Sequence, residues 1–218
     1  MNRSGFSFFL PVICALNCSV AELECRSEDP QCSPSIAPIL LLGSCSQSSG
    51  QFISLAAEDG TVTDSPASTA TGGGIVNIGD LAGTATTQFF LSFDITALQG
   101  GFLNSATVSV YQGGSNGSPA SIVPFYVDHL DFGTLDNSDH GTAALTQGFF
   151  EINDVTPATF KTFDVTLQVQ ADLLAGRTRS QFRIRANGNA DASSDTIALS
   201  TGDSGTNPPA LSYNACLQ

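Results

Sequence analysis

Charged side chains and tryptophan are scarce in this sequence of 218 residues. It contains no Trp and only 12% charged residues, about half of the ~25% that is typical of soluble domains. Basic residues are the rarest of these, because 7 Lys and Arg stand against 20 Asp and Glu and give a net charge of −13. Nucleic acid would repel such a chain, so we expect no nucleic-acid partner. Cations, neutral sugars and other proteins remain as candidate partners.

The few basic residues are not evenly spread. Four of the seven fall between residues 177 and 185, at Arg177, Arg179, Arg183 and Arg185. This cluster has two interpretations, either a local anion site or a solvated strand face whose arginines offset the surrounding carboxylates.

Apolar runs long enough to cross a bilayer are also missing. Residues 5–16 form an apolar segment behind Arg3, which has the length of a signal-peptide core and falls short of the ~20 residues of a transmembrane helix. Ala15, Leu16 and Asn17 then precede Cys18 in an imperfect match to a bacterial lipobox. We therefore predict a signal peptide over residues 1–17 and lipidation of Cys18, with ordinary secretion or a retained anchor as alternatives.

This interpretation makes the chain an exported lipoprotein, held by lipid chains to a membrane at the cell surface or in the periplasm. Residues 18–50 contain several prolines and a serine-rich stretch, a composition typical of a flexible tether. We expect a folded domain over residues 51–218.

Four cysteines remain after removal of the signal peptide and lipidation. An even number outside the cytoplasm suggests two disulfides, with three possible pairings. Cys25 and Cys32 flank a short acidic loop and can close on each other. Cys45 precedes the first predicted strand of the domain and Cys216 follows the last, so a bond between them would close the domain if its terminal strands are neighbours.

The domain is rich in the residues of turns, including 21 Gly, and its apolar residues alternate with polar ones. Alternation of period two is the pattern of a strand with one buried face. The clearest example is residues 88–96, and further examples are residues 106–111, 123–127, 163–169 and 181–186. Apart from a single turn near residues 171–175, no helix is expected. We predict an all-β fold, a jelly-roll-like sandwich of two antiparallel sheets.

Five phrases occur in order along the domain: FFLSFDIT, LNSATVSVYQGG, VPFYVDHLDFGTLDN, RTRSQFRIRANGNADASSDTIALSTGD and PPALSYN. Together they resemble the DNRLRE-type, carbohydrate-binding-module-like β-sandwich of bacterial secreted and surface proteins, over residues 58–213. The resemblance implies a jelly-roll-like fold that is often appended to enzymes or surface proteins and that in some members binds polysaccharide.

One loop carries the hard oxygen ligands that Ca²⁺ prefers. Its candidate ligands are Asn187, Asn189, Asp191 and Asp195. Asp59 and Asp203 are possible remote ligands if their loops converge on this one. The alternative interpretation is that these side chains cap their own backbone in Asx turns.

A candidate ligand face comes from two of the three tyrosines. By alternation, Tyr111 and Tyr126 point away from the core on strands that we expect to be adjacent, with Asp128 beside them. Sugars often stack on such aromatic rings, although tyrosine also occurs on sheet surfaces for its β-propensity alone.

Catalytic patterns are weak. Ser115 lies in a G-x-S-x-G match, but the following residues are strand-like, whereas a nucleophile elbow needs a helix there. His129 and His140 have no evident nucleophile beside them, so we read them as loop residues. We therefore predict a non-enzymatic, membrane-tethered binding or adhesion module for polysaccharide or extracellular protein. The alternatives are a purely structural envelope protein and, as a minor one, a hydrolase.

Overall fold

The computed structural model describes residues 45–83, 85–188 and 193–217. Within these ranges the chain forms twelve strands and one α-helix. The strands are β1 Ser46–Ile53, β2 Gly60–Asp64, β3 Ala67–Thr71, β4 Ile75–Asp80, β5 Thr86–Asp94, β6 Phe102–Asn116, β7 Phe125–Leu130, β8 Thr146–Ile152, β9 Thr159–Asp164, β10 Arg179–Arg185, β11 Asp195–Ser200 and β12 Ala210–Leu217. The helix, α1, is Thr166–Leu174. Short 3₁₀ turns occupy Thr96–Leu98, Pro119–Ser121 and Asn137–Gly141.

Every strand pairing is antiparallel, which confirms the predicted all-β class. The strands follow the order β1-β12-β6-β11-β4-β5-β10-β7-β8, with β2 and β3 attached through β5, and β9 through β6. The sheet is curled. Phe163 of β9 and Phe182 of β10, which are far apart in this order, bring their ring centroids to 6.4 Å.

The main core fills the inside of the curl with the alternating residues that the sequence pattern indicated. On β5 these are Phe89, Leu91 and Phe93, all fully buried. Neighbouring strands add Val108, Val110, Val127, Phe163, Phe182 and Ile184 to the same cluster. Burial of these apolar side chains is the main stabilising term of such a fold.

The opposite face of β5 and β10 is also buried, which alternation alone did not predict. A second apolar cluster consists of Val62, Phe90, Leu130 and Leu135. Polar side chains on this face are held in place by the chain that follows β7; for example, Gln181 Oε1 accepts hydrogen bonds from the backbone N–H groups of Phe132 and Gly133 at 2.8 and 3.0 Å.

One predicted strand differs in the structure. Residues 163–169 were expected to be one strand, but β9 ends at Asp164 and α1 follows from Thr166. Two further stretches without apolar alternation also pair in the sheet: β3 pairs along its length with β2, and β6 continues to Asn116 and pairs there with β11.

The two ends of the described chain lie side by side. β1 pairs with β12 from Ser46↔Leu217 to Ile53↔Ala210, so the first strand starts within the segment predicted as tether. Cys45 and Cys216 form a disulfide at the end of this pair. This disulfide was one of the predicted pairings, and it is confirmed.

Candidate functional site

A polar pocket opens where the partner of β5 changes. On one edge of β5, β10 pairs up to Ile184↔Phe89, and β4 pairs from Gly79↔Thr87 onward. Gln88 lies at this junction, and the chain after β10 diverges from the sheet beside it. The cavity of about 230 Å³ is lined by Gly79, Thr86, Thr87, Gln88, Arg185, Ala186, Asn187 and Gly188.

Arg185 reaches the pocket from a charged cluster with Asp128 and Arg183. The Asp128 carboxylate is fully buried, and its Oδ2 accepts from Arg183 Nη2 at 2.7 Å and from Arg185 Nε at 2.8 Å. Burial raises the pKa of Asp128, but the hydrogen bonds from Arg185, Arg183 and the Gly148 N–H outweigh it and hold that pKa below its usual range. Asp128 is therefore ionised, and two guanidinium groups face one carboxylate.

The two arginines differ in exposure. The Arg183 side chain is 8% exposed, and its Nη1 donates to the carbonyl oxygens of His140 and Thr142 at 3.1 Å. The Arg185 side chain is 22% exposed and stacks with its Cζ 4.9 Å from the centre of the Tyr126 ring. A cation packed over an aromatic face is held in orientation by the ring quadrupole. Arg183 thus fastens the loop to the sheet, whereas Arg185 presents a fixed guanidinium to solvent.

Gln88 adds an acceptor to the same pocket. The residue is 9% exposed, and within the described chain its buried Oε1 has no hydrogen-bond partner. Leaving a buried acceptor unsatisfied costs about 1–3 kcal/mol. Because this atom is itself buried, a donor from a ligand in the cavity would reach it only after the Gln88 side chain turns towards the cavity.

Thr86 stands at the rim of the pocket in a fixed orientation. Its backbone N–H and hydroxyl donate to the Asp64 carboxylate at 2.7 and 3.1 Å, and its hydroxyl also lies 3.1 Å from His140 Nε2. Burial lowers the pKa of His140, an effect that Asp64 partly offsets. The Thr86 hydroxyl therefore lies between the ionised Asp64 carboxylate, whose pKa the hydrogen bonds from Thr86 lower, and a neutral imidazole.

The predicted tyrosine face does not form as expected. Tyr111 lies on β6 and Tyr126 on β7, and these strands do not pair, so the expectation of adjacent strands was wrong. Tyr111 instead packs against Phe160 at 5.2 Å. Asp128, the third predicted residue, is fully buried beneath Arg185, because the loop after β7 covers its side of the sheet. Only Tyr126 borders the pocket region, through Arg185.

The predicted calcium set is only partly within the described residues, since Asn189 and Asp191 lie outside them. Asp195 is buried, and its two oxygens accept from the Ser118 N–H at 2.6 Å and the Ser121 hydroxyl at 2.8 Å. Its carboxylate thus holds the 3₁₀ turn after β6. Asn187 is exposed and lines the pocket. In the described ranges, no three His, Cys, Asp or Glu side chains are grouped as a metal site.

The remaining candidates take structural positions. The other two arginines of the basic cluster bind separate carboxylates, with Arg177 bound to Asp131 and Arg179 to Glu58. Ser115 lies inside β6, and a three-residue 3₁₀ turn, not an α-helix, follows that strand. His129 is 2% exposed, and its Nε2 lies 2.9 Å from Asp172 Oδ2.

The N-terminal predictions fall largely outside the described structure. Cys18, Cys25 and Cys32 precede residue 45, as do the predicted signal peptide and most of the tether. In residues 45–217, apart from the gaps at 84 and 189–192, no helix is long and apolar enough to cross a membrane.

Sequence reasoning found Arg185 only as part of a basic cluster and Gln88 only as a polar strand residue. The alternation of β5 and β10 placed both on the polar face, and this was the available signal. The junction between β10 and β4 depends on long-range pairing, which local periodicity does not contain.

Comparison with known proteins gives no relative to compare these residues with. No protein-family model matches the chain, and no curated protein matches it significantly. The DNRLRE-type resemblance therefore stays a prediction.

Proposed function

We propose that this chain is a non-enzymatic binding module for acidic polysaccharide, held on the outside of the cell by a lipid on Cys18. The observation that carries the proposal is the pocket between β10 and β4. It combines a partly exposed guanidinium, Arg185, with Gln88, whose buried Oε1 has no hydrogen-bond partner in the described chain.

Charge supports an anionic group in the ligand. Asp128 neutralises one of its two arginines, so the cluster keeps about one positive charge, and Arg185 is the more exposed of the two. Asp64 carries the opposite charge at the rim, where it is bonded to Thr86, so Arg185 is the cationic group that the pocket lining offers to a ligand. Guanidinium groups bind carboxylates and sulfates through paired, charge-assisted hydrogen bonds.

Hydroxyl groups in the ligand fit the other pocket residues. Gln88 Oε1 accepts hydrogen bonds, and Thr86, Thr87 and Asn187 line the same cavity. The cavity of about 230 Å³ is smaller than the ~300–1,000 Å³ of sites for drug-sized ligands, a size suited to one sugar unit of a longer chain. The Tyr126 face is occupied by Arg185, so we expect recognition through polar groups and not through stacking on that ring.

The closed surroundings of His129 support a binding role over hydrolysis. His129, Asp172 and Ser180 are each at most 2% exposed, and the Ser180 hydroxyl donates to Asp172 at 2.6 Å. A general base must reach a substrate, and this cluster is closed to one. Its hydrogen bonds tie α1 to β7 and β10.

The arrangement of the strands in layers is also part of the proposal. We infer that the curled antiparallel sheet is a two-sheet, jelly-roll-like sandwich. Contacts across the core support this, since Phe163 lies 6.4 Å from both Phe149 and Phe182, and neither β8 nor β10 pairs with β9. A rigid framework of this kind holds a polar pocket open without a ligand.

An array of acidic polysaccharides, neutral polysaccharides and matrix proteins tests the proposal. The full chain, solubilised in detergent, is expected to bind acidic polysaccharides, with affinity that falls as salt concentration rises. Arg185→Gln is expected to weaken binding at least tenfold, since it removes the exposed charge while Arg183 still pairs with Asp128.

Arg177→Gln is the matched control, because Arg177 also contacts carboxylates but lies in a different region of the surface. It should bind as the wild type does. Equal binding by Arg185→Gln and wild type would place the site elsewhere. If nothing on the array binds, the structural envelope role replaces this proposal.

A further inference from the structure

Asp59 is a buried residue, and within the described chain one of its two carboxylate oxygens has no hydrogen-bond donor. It ends the turn between β1 and β2, where its N–H donates to Leu55 O at 2.9 Å, and it is fully buried. Its Oδ2 accepts a short hydrogen bond from the Gly202 N–H. Within the described chain, no donor reaches its Oδ1.

A second unsatisfied oxygen lies one residue from that hydrogen bond. Thr201 is fully buried, and in the described structure its Oγ1 has no hydrogen-bond partner. Its position is fixed, because its N–H donates to Gly74 O at 3.0 Å. Buried polar atoms are rarely left unpaired in proteins, so two on loops that meet at Gly202 point to a group that binds both.

Further oxygen atoms converge on the same place from the adjoining loops. A methyl group on Gly202 would lie 2.4 Å from Ser54 O and 2.8 Å from Asp59 Oδ2, so the Ser54 carbonyl and the Asp59 carboxylate both lie against this glycine. Asp203 is exposed beside them, and a methyl group on Gly72 would lie 2.2 Å from its Oδ2. Glycine at both positions allows the loops to approach this closely.

Among the described residues, no Lys or Arg forms an ion pair with Asp59 or Asp203. Arg179 of β10 is paired with Glu58, the residue before Asp59, at 2.6 Å. Carboxylates of this kind are ligands that a divalent cation binds.

We propose that Asp59, Thr201 and Asp203 form a site for one divalent cation, Ca²⁺ in preference to Mg²⁺, between the loops that follow β1 and β11. The donors are two carboxylates, a hydroxyl and the nearby Ser54 carbonyl. Ca²⁺ accepts such mixed hard oxygen ligands in flexible geometry and completes its shell with water, whereas Mg²⁺ demands near-octahedral geometry. The site is distinct from the predicted set around Asp195, whose carboxylate is occupied by Ser118 and Ser121.

Thermal unfolding of the full chain with calcium, with magnesium and with EGTA tests the site. Calcium at about 100 times its Kd should raise the Tm by about 5–10 °C over EGTA, with a smaller shift in magnesium. Calorimetric titration of the EGTA-treated protein should give one calcium per chain.

Asp59→Asn and Asp203→Asn should each remove most of the calcium-dependent shift. Asp203 is exposed, so its variant tests the site without disturbing the buried Asp59. The matched control is Asp191→Asn, from the loop first predicted to bind calcium, and its shift should stay that of the wild type.

An unchanged wild-type Tm in calcium overturns the proposal. A shift that survives in Asp203→Asn, or that only Asp191→Asn abolishes, also overturns it. Because the Arg185 pocket lies in another part of the sheet, polysaccharide binding is tested independently of this result.

Discussion

At the scale of single residues, Asp128 joins three parts of the fold. It pairs with Arg183 and Arg185 on β10, and its Oδ1 accepts from the Gly148 N–H at 2.7 Å on β8. Arg183 extends the network to the loop after β7 through the carbonyl oxygens of His140 and Thr142. A polar network of this kind stabilises a fold only when every member is satisfied.

Replacing Asp128 by Asn should therefore destabilise the protein by about 3–5 kcal/mol, because it leaves Arg183 buried without its carboxylate. Urea unfolding monitored by circular dichroism measures the loss. Arg185→Gln is the control and should cost clearly less, since the pair between Arg183 and Asp128 survives. Equal losses in the two variants would contradict the central place given to Asp128.

Asp59 should give stability a pH dependence of its own. Its folded pKa is raised, so the ionised form is penalised in the folded state above pH 6, and the penalty fades as pH falls towards 4. In EGTA, Asp59→Asn should be more stable than wild type by up to roughly 3 kcal/mol at pH 7 or above, and by little at pH 4. Urea midpoints from pH 4 to 8 measure this difference. A gap between the two proteins that is constant over that range would contradict the raised pKa.

At the scale of elements, period-two alternation predicted strands correctly where one face packs into the main core. Phe89, Leu91 and Phe93 on β5 are the clearest case. The same pattern failed at Val165 and Val169, because residues four apart also share one face of a helix. The apolar residues in this segment therefore fitted the period of a strand and that of a helix, and the structure has the helix α1 there.

The environment of the pocket could not be predicted for a related reason. Alternation put Arg185 on the polar face of β10, but that face is solvated only if nothing covers it. The loop after β7 buries Arg183 and leaves Arg185 partly exposed. The difference between these two residues depends on contacts far away in sequence, which no local pattern carries.

The side-chain directions of α1 distinguish helix from strand in a simple experiment. Leu167 is 79% exposed and Val169 is fully buried, whereas in a strand the two would share a face. Leu167→Gln should change the free energy of unfolding by no more than about 0.5 kcal/mol, and Val169→Ala should lower it by roughly 1–3 kcal/mol. Chemical denaturation provides both values. Similar losses at the two positions would favour the strand.

At the scale of the whole molecule, pairing of β1 with β12 closes the chain on itself. The disulfide between Cys45 and Cys216 joins the two strands at one end of their ladder, where Ser46 pairs with Leu217. A disulfide that spans nearly the whole domain limits the freedom of the unfolded chain strongly, and this effect grows with loop length.

Replacing both cysteines with serine should lower the free energy of unfolding by about 5 kcal/mol in the chain-entropy model. The double variant avoids a leftover thiol, and urea unfolding measures its stability. Dithiothreitol should shift the wild-type midpoint towards that of the variant. An unchanged midpoint in the double variant would mean that the disulfide does not stabilise the domain.

We propose that the pocket at the junction of β5, β10 and β4 binds an acidic polysaccharide. Chemical-shift mapping of the ¹⁵N-labelled protein with an acidic oligosaccharide is a direct test of binding at this pocket. We expect the largest chemical-shift changes at Thr86, Gln88 and Arg185, including the side-chain N–H signals of Gln88 and Arg185. In Arg185→Gln, the changes at Thr86 and Gln88 should disappear. Shifts centred on Arg177, or no shifts at saturating oligosaccharide, would contradict it.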